Sequence, residues 1–320
     1  MVSRRDVLKG LAALAAGTTA FAGYALGIEP IWRLEVQTYR ITPPRWPTGL
    51  RLRASVIADV HAAEPHMSAA RIRAIAERAN ALEPDVHLLL GDYAASHRWV
   101  TRSVEADTWA AALSTLRAPL GIHAVLGNHD WWDDHEAQRR GSGPILGRKA
   151  LERHGIPVYE NDAVRLQKDG RPFWLAGLAD QLAFIAGRRR RDLYPDAREP
   201  TGTQTTSRRQ RRYSGIDDLP GTLARITDDA PVILMAHEPD IFPHVPERVA
   251  VTVSGHTHGG QVRLLGYSPV VPSRYGNRYA YGHIVEDGRN LVVSGGLGCS
   301  IFPVRFGMPP EIVLLDIGAA

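Results

Sequence analysis

The sequence predicts an α/β fold in which a second, mixed β-sheet packs on a first, parallel one. Three observations carry that prediction. Short apolar runs alternate with helical spacing through the first half, hairpin signals and further apolar runs dominate the second, and five of the runs end in clusters of histidine, aspartate or asparagine. In α/β sheets the loops beyond strand ends deliver side chains to a common crevice, so ligand-type residues at five strand ends point to one site.

The chain opens with a basic segment, Ser3-Arg4-Arg5-Asp6-Val7-Leu8-Lys9, followed by an uncharged run from Gly10 to Ile28. A basic start and an apolar stretch of this form read as a twin-arginine signal over residues 1–28, which directs export across the cytoplasmic membrane to the periplasm or to the outer face of that membrane. Ala20-Phe21-Ala22 and Gly23-Tyr24-Ala25 offer small-residue cleavage patterns. The run is also close to the ~20 apolar residues that span a bilayer, so a cleaved signal and a retained anchor both fit.

Residues 29–50 read as a linker holding an edge strand, Leu34 to Ile41, and a connector, Pro43-Pro44-Arg45-Trp46-Pro47, that cannot continue a sheet. The folded domain is expected over 51–320. Leu52 to Ala58 is an apolar strand run, Ser68 to Leu82 has helical spacing, and Val86 to Leu90 is a strand bounded by Pro84 and Gly91, which together make a βαβ unit. A helix over Val104 to Leu116 and a strand over Ile122 to Leu126 continue the alternation of a parallel sheet. Val164 to Gln167 and Phe173 to Ala176 flank Lys168-Asp169-Gly170-Arg171, and His283 to Val285 and Asn290 to Val293 flank Glu286-Asp287-Gly288; both read as hairpins. Val232 to Met235 and Val249 to Val253 supply further strands. Residues 187–215, rich in arginine and threonine, read as an inserted surface loop, either an anion-attracting lid or simply solvated chain.

With 44% hydrophobic and 22% charged residues, the 320-residue chain is of ordinary globular composition and can build a large core. The net charge of +4 comes almost wholly from arginine, since Lys9, Lys149 and Lys168 are the lysines, and it favours anionic partners. Cys299 is the single cysteine, which excludes an intramolecular disulfide, so stability outside the cytoplasm must come from packing and metal.

The five clusters are Asp59-Val60-His61, Gly91-Asp92, Gly127-Asn128-His129-Asp130, His237 in Met235-Ala236-His237-Glu238-Pro239, and Gly255-His256-Thr257-His258. Carboxylate, amide oxygen and neutral imidazole suit hard or borderline divalent ions, and Asp59, His61, Asp92, Asn128, His237, His256 and His258 are enough for two ions sharing one carboxylate. Two such ions bring more positive charge than two aspartates return, so the surplus can hold a hydroxide and a phosphate oxygen. Ions about 3.5 to 4 Å apart acidify a bridging water and stabilise both oxygens of an in-line displacement, with the metal-bridged hydroxide as nucleophile.

On these motifs the sequence resembles the calcineurin-like metallophosphoesterases, in particular a bacterial branch with a twin-arginine signal. Ser294-Gly295-Gly296-Leu297-Gly298, Pro303-Val304-Arg305-Phe306 and Pro309-Pro310-Glu311-Ile312 resemble the closing segment of that branch. The resemblance covers nearly the whole chain and implies a four-layer α/β/β/α sandwich with two mixed sheets between helices. It further implies that Asp59, His61, Asp92 and His258 hold one metal and Asp92, Asn128, His237 and His256 the other, with Asp92 the bridge. His129 would face the substrate, stabilising the transition state and protonating the leaving oxygen. Part of the family carries a second acid three positions after the Asp of Gly-Asp to orient this histidine; Ala95 stands there, leaving Asp130 either to orient the loop or to cap a helix. Trp131 and Trp132 are candidates for a pocket wall or for the core.

The expected cofactors are therefore two divalent ions, Mn2+, Fe, Zn2+ or Co2+. The expected activity is phosphodiesterase or phosphatase hydrolysis at the cell envelope. Its substrate would be a phospholipid headgroup, an envelope polymer, a lipid-linked pyrophosphate or another phosphate ester, and the export machinery a partner. A nuclease and a non-catalytic metal-dependent binding protein are the competing readings. No aromatic residues interleave with the arginines as a single-strand groove requires, which disfavours nucleic acid.

Overall fold

A computed structural model describes residues 3–95, 99–186 and 212–318. Most of the arginine-rich stretch expected at 187–215 lies outside them.

The first sheet has five strands in the order β1 (Glu35–Ile41), β15 (Glu311–Ile317), β2 (Leu52–Ile57), β4 (Val86–Leu89) and β6 (Ile122–Ala124). β2, β4 and β6 run parallel, as the βαβ pattern predicts, with Val56 opposite Leu88 and Leu88 opposite His123. β15 enters between β1 and β2, parallel to the first and antiparallel to the second, which makes the sheet mixed. The second sheet has six strands in the order β13 (Gly282–Glu286), β14 (Arg289–Val293), β12 (Val249–Ser254), β11 (Val232–Met235), β8 (Arg171–Gly177) and β7 (Asp162–Lys168). Both expected hairpins, β7–β8 and β13–β14, are antiparallel, while β8, β11, β12 and β14 run parallel to one another. Two short ribbons complete the strands among the described residues: β3 (Ala63–Glu64) with β5 (Arg102–Ser103), and β9 (Phe184–Ile185) with β10 (Tyr213–Ser214).

Three apolar layers hold four layers of structure together. Helices α2 (Ala69–Asn80), α3 (Ala106–Leu113) and α6 (Leu146–Arg153) cover the outer face of the first sheet. On α2 the buried residues Ile72, Ile75, Ala76 and Ala79 repeat at the spacing of one helix face, and Ser68 caps it by accepting from the Arg71 amide at 3.1 Å. Between the sheets lie Val56, Leu88, Leu175, Ile233, Val251 and Leu315 with their neighbours. The second sheet's outer face is covered by α7 (Leu219–Ala224) and by short 3₁₀ turns at Pro239–His244 and Gly276–Tyr279, built around Phe242 and Tyr279. Two further helices, α4 (Asn128–Trp132) and α5 (His135–Arg140), follow the third strand of the βαβ series.

Helix α1 (Arg4–Gly23) has no buried residue and continues as a π-helical stretch, Tyr24–Trp32, of which Ala25 and Glu29 are buried. By length and composition Arg4–Trp32 suffices to cross a membrane. Its far end is fastened to the domain: the Arg305 amide donates to the Ala25 carbonyl at 2.9 Å, and the Met308 amide to Glu29 Oε1 at 2.7 Å.

Candidate metal centre

Strands β2, β4 and β6 of the first sheet and β11 and β12 of the second end at the same crevice, and the loops beyond them carry the seven sequence-derived ligand candidates. Asp59, His61, Asp92, Asn128, His237, His256 and His258 are all buried, none more than 7% exposed. Ligand atoms of six of them, together with His129, fall into overlapping groups, Asp59 with His61 and His258, Asp92 with His237 and His256, and His61 with Asp92 and His129; within each group all atoms lie inside 4.8 Å of one another. Asp92 joins the groups. Its Oδ2 is 3.5 Å from His61 Nε2 and 3.3 Å from His237 Nε2.

The donor set fits metal. His61 Nε2 and His258 Nε2 face each other at 3.1 Å with their rings stacked, a pairing of two nitrogens that a shared cation explains. Asn128 Oδ1 is buried with no hydrogen-bond partner, an arrangement that is costly unless something else is coordinated there. Backbone carbonyls fix the imidazole orientations. His61 Nδ1 lies 3.0 Å from the Ala94 carbonyl and His237 Nδ1 2.6 Å from the Leu90 carbonyl, so both rings carry a proton on Nδ1 and turn Nε2 toward the centre. His256 is reversed, its Nε2 lying 2.9 Å from the Pro272 carbonyl, which leaves Nδ1 to face the centre.

Electrostatics of the metal-free centre is mixed: His61 and Asp92 are held in their ligating forms, whereas Asp59 is raised, and Asp92, outweighing burial, raises His237 well above its usual range. Burial pushes the His61 imidazole down to about 3, so it is neutral at physiological pH, as a ligand must be. Burial alone would raise Asp92, but the surrounding imidazoles of His237, His129 and His61 outweigh it and hold the carboxyl well below its usual range. Asp59, whose neighbours compensate less, is pushed up to about 7 by burial.

Five of the seven residues sit in left-handed backbone: φ is 54° at Asp59, 45° at His61, 55° at Asp92, 67° at His256 and 52° at His258. Such conformations cost about 1 kcal/mol or more each and persist only where the surroundings over-determine them. The surroundings do so here. The Asp130 carboxylate accepts from the amides of Asp92, Tyr93, Ala94 and Gly127 at 2.8 to 3.2 Å, and thereby staples the second ligand loop to the third. Asp130 fills both of its expected roles, since its bond from the Gly127 amide also caps the first turn of α4. The His129 amide donates to Asp92 Oδ1 at 2.8 Å, and the His256 amide to Asp59 Oδ1 at 2.9 Å.

His129 stands at the border of the centre, its ring edge-on to His61 at 4.9 Å and its Nε2 3.3 Å from Ser300 Oγ. The Trp132 ring lies 5.1 Å from it, held by stacking on Tyr213 and by donation from its Nε1 to the Leu182 carbonyl. Trp131 instead packs in the core against Phe184. Because Tyr213 belongs to β10 and β10 pairs with β9, the neck of the arginine-rich stretch stands beside Trp132.

Two residues at the site were not singled out as functional from the sequence. Ser300 meets His129 as above. Arg305 is fully buried and donates to the carbonyls of Gly295, Gly298 and Met308, with Nη2 3.3 Å from His258 Nδ1. It ties the closing segment around that ligand. Both lie in or beside the closing motif, but a lone serine or arginine there has no ligand-type signal.

The family model for calcineurin-like phosphoesterases matches residues 52–260, a span that contains all five ligand loops. The chain is 27% identical to an uncharacterised metallophosphoesterase of Bacillus subtilis, YkuE, with 99% of this chain and 98% of that one covered. It is 26% identical to the phosphodiesterase YaeI of Escherichia coli, covering 99% of this chain and all of that one. A bovine transmembrane protein with a metallophosphoesterase domain is 26% identical over 89% of this chain and 57% of its own length.

Proposed function

The chain belongs to the calcineurin-like phosphoesterase family, and from that premise we propose that it hydrolyses phosphate esters at the cell envelope with a centre of two divalent ions. It is a metal-dependent phosphoester hydrolase. In our reading Asp59, His61, Asp92 and His258 hold one ion, and Asp92, Asn128, His237 and His256 hold the other. The single observation that carries this assignment is the position of Asp92 Oδ2, between His61 Nε2 and His237 Nε2 at 3.5 and 3.3 Å.

When bound, the ions supply an acidified water and positive charge for the phosphate oxygens. The rest falls to the chain. Asp92 aligns the two halves of the centre, and the Asp130 staple keeps its loop from relaxing. His129 is placed to contact the substrate phosphate and to pass a proton to the leaving oxygen, with Ser300 orienting its Nε2. Mn2+, Fe, Zn2+ and Co2+ all accept this mixed donor set. Residues 1–28 act as signal or anchor, 29–50 lead into the domain through β1, and 51–320 form the hydrolase with its inserted arginine-rich stretch. YaeI, matched along its whole length, is named a phosphodiesterase, which favours diesters among the substrates. Hydrolysis of bis-p-nitrophenyl phosphate and p-nitrophenyl phosphate, measured before chelation, after it, and after Mn2+ is restored, tests the proposal. Turnover should vanish with chelator and return with metal, and hydrolysis that persists in chelator would overturn it.

A further inference from the structure

We infer that the mouth of the metal centre is built to lie in the interface of a lipid bilayer, so that the ester it cleaves belongs to an amphiphile held in the membrane. The chemistry rests on the phosphoesterase reading above; the placement rests on separate geometry.

Two loops grow directly out of the site and end in exposed apolar tips. After His258 the chain makes a tight turn, with Leu264 and Tyr267 exchanging backbone hydrogen bonds at 2.8 and 2.9 Å. Leu265 at its tip is completely exposed and sits at φ 50°, a conformation disfavoured for a branched side chain. The second loop carries Ser300 beside His129, and the next residues, Ile301 and Phe302, are 67% and 50% exposed. Gln261 binds the loops into one rim: its Oε1 accepts from the Ser300 amide at 2.7 Å and its Nε2 donates to the Phe302 carbonyl at 2.9 Å. Exposed apolar side chains grouped at a site mouth mark an interaction surface.

The helix identifies what covers that surface. Phe21 packs on Phe306 at 4.8 Å and Tyr24 meets the same ring edge-on at 6.1 Å, while Phe306 itself donates to the Gln261 carbonyl. The unburied helix α1 ends against the very segment that carries the rim. At about 1.5 Å per residue it is roughly 30 Å long, the thickness of a bilayer's hydrocarbon. Trp32, 80% exposed, and Arg33 follow it, residue types that favour the headgroup region. Retained as an anchor, the bilayer-length helix docked beside the rim would bring it to the membrane, which favours a bilayer over a second copy or a soluble partner as the occupant.

The test uses the full chain in vesicles of phosphatidylethanolamine and phosphatidylglycerol. Leu265→Cys and Phe302→Cys are each labelled with an environment-sensitive fluorophore; Cys299, the native cysteine, is buried. Asp169→Cys, at the β7–β8 turn on the opposite end of the sheet, is the control. Nitroxides in the upper acyl chain should quench labels at 265 and 302 several-fold more than at 169. Equal quenching, or equal shielding of the two rim labels in vesicle-free buffer through self-association, would overturn the placement. The double variant Leu265→Glu with Phe302→Glu should keep its rate on bis-p-nitrophenyl phosphate yet lose roughly tenfold on a p-nitrophenyl diester of phosphatidic acid embedded in the vesicles. Undiminished attack on the embedded diester would overturn the substrate class. Failure of the unaltered chain on both esters would instead strike the phosphoesterase reading, while the quenching still decides the placement.

Discussion

Replacing Gly127 by alanine isolates the coupling between two ligand loops. At φ −115° and ψ 174° the backbone suits any residue, so only space is at issue. An alanine Cβ would press on Asp92 Oδ1 and lie 2.6 Å from the Asp92 amide nitrogen and 2.7 Å from His237 Cε1, where ordinary contact begins at 3.4 Å. Relief demands a shift of roughly 1 Å in the bridging carboxylate and somewhat less in its neighbours, several times the ~0.2 Å within which metal–ligand distances vary. A misplacement near 1 Å costs on the order of 10² in rate. Gly127→Ala should therefore lose about that much kcat/KM on bis-p-nitrophenyl phosphate and bind less metal by elemental analysis. An overpacking cost of about 1–3 kcal/mol should leave it folded by circular dichroism. Gly147→Ala is the control: its Cβ would sit 3.6 Å from Trp109, an ordinary contact, in helix α6, so activity and metal content should be unchanged. A folded Gly127→Ala protein with normal metal content and turnover would refute the reasoning.

Asp130→Asn should lower Tm and metal affinity together, because one amide oxygen cannot replace a carboxylate that accepts from four backbone amides; each amide left unpaired costs about 1–3 kcal/mol, and an unchanged thermal melt would count against the staple. His129→Ala should keep its metal and lose roughly 10² to 10⁴ in kcat, and loss of an ion instead would make His129 a ligand. Metal affinity should fall with acidity. With its metal-free pKa pushed up to about 7, Asp59 is increasingly protonated below that pH, and only the deprotonated carboxylate binds, so affinity should drop by up to about tenfold per pH unit from 7 downward. His61, pushed down to about 3, adds no competition in that window, whereas His237, raised well above its usual range by Asp92 despite burial, must also lose a proton and steepens the fall. Affinity that stays flat between pH 7 and 5 in calorimetric titrations would contradict this.

The strands were legible because each is a continuous apolar run ending at Gly, Pro or a ligand cluster, and the buried parallel strands β2, β4, β11 and β12 are of that kind. β15 was not read as a strand, although Glu311–Ile317 is an apolar run, because its place depends on pairing with β1 and β2, whose residues are far away in sequence. Helices α4, α5 and α6, of five to eight residues, are too short to show a period and are set by caps such as Asp134, which accepts from the Ala137 amide. At the site, the residue types of the seven ligand candidates are themselves the signal. Their carbonyl partners at Leu90, Ala94 and Pro272 have none, since a backbone oxygen carries no residue identity. The same holds for Ser300 and Arg305, whose importance lies in where the closing segment folds.

The central claim is that Asp92 unites two metal positions, and the most direct test is elemental analysis of the purified chain beside Asp92→Asn, with turnover measured on the same samples. The account predicts about two ions per unaltered chain, and loss of metal together with nearly all activity in the variant. Two ions and normal turnover in Asp92→Asn would contradict it.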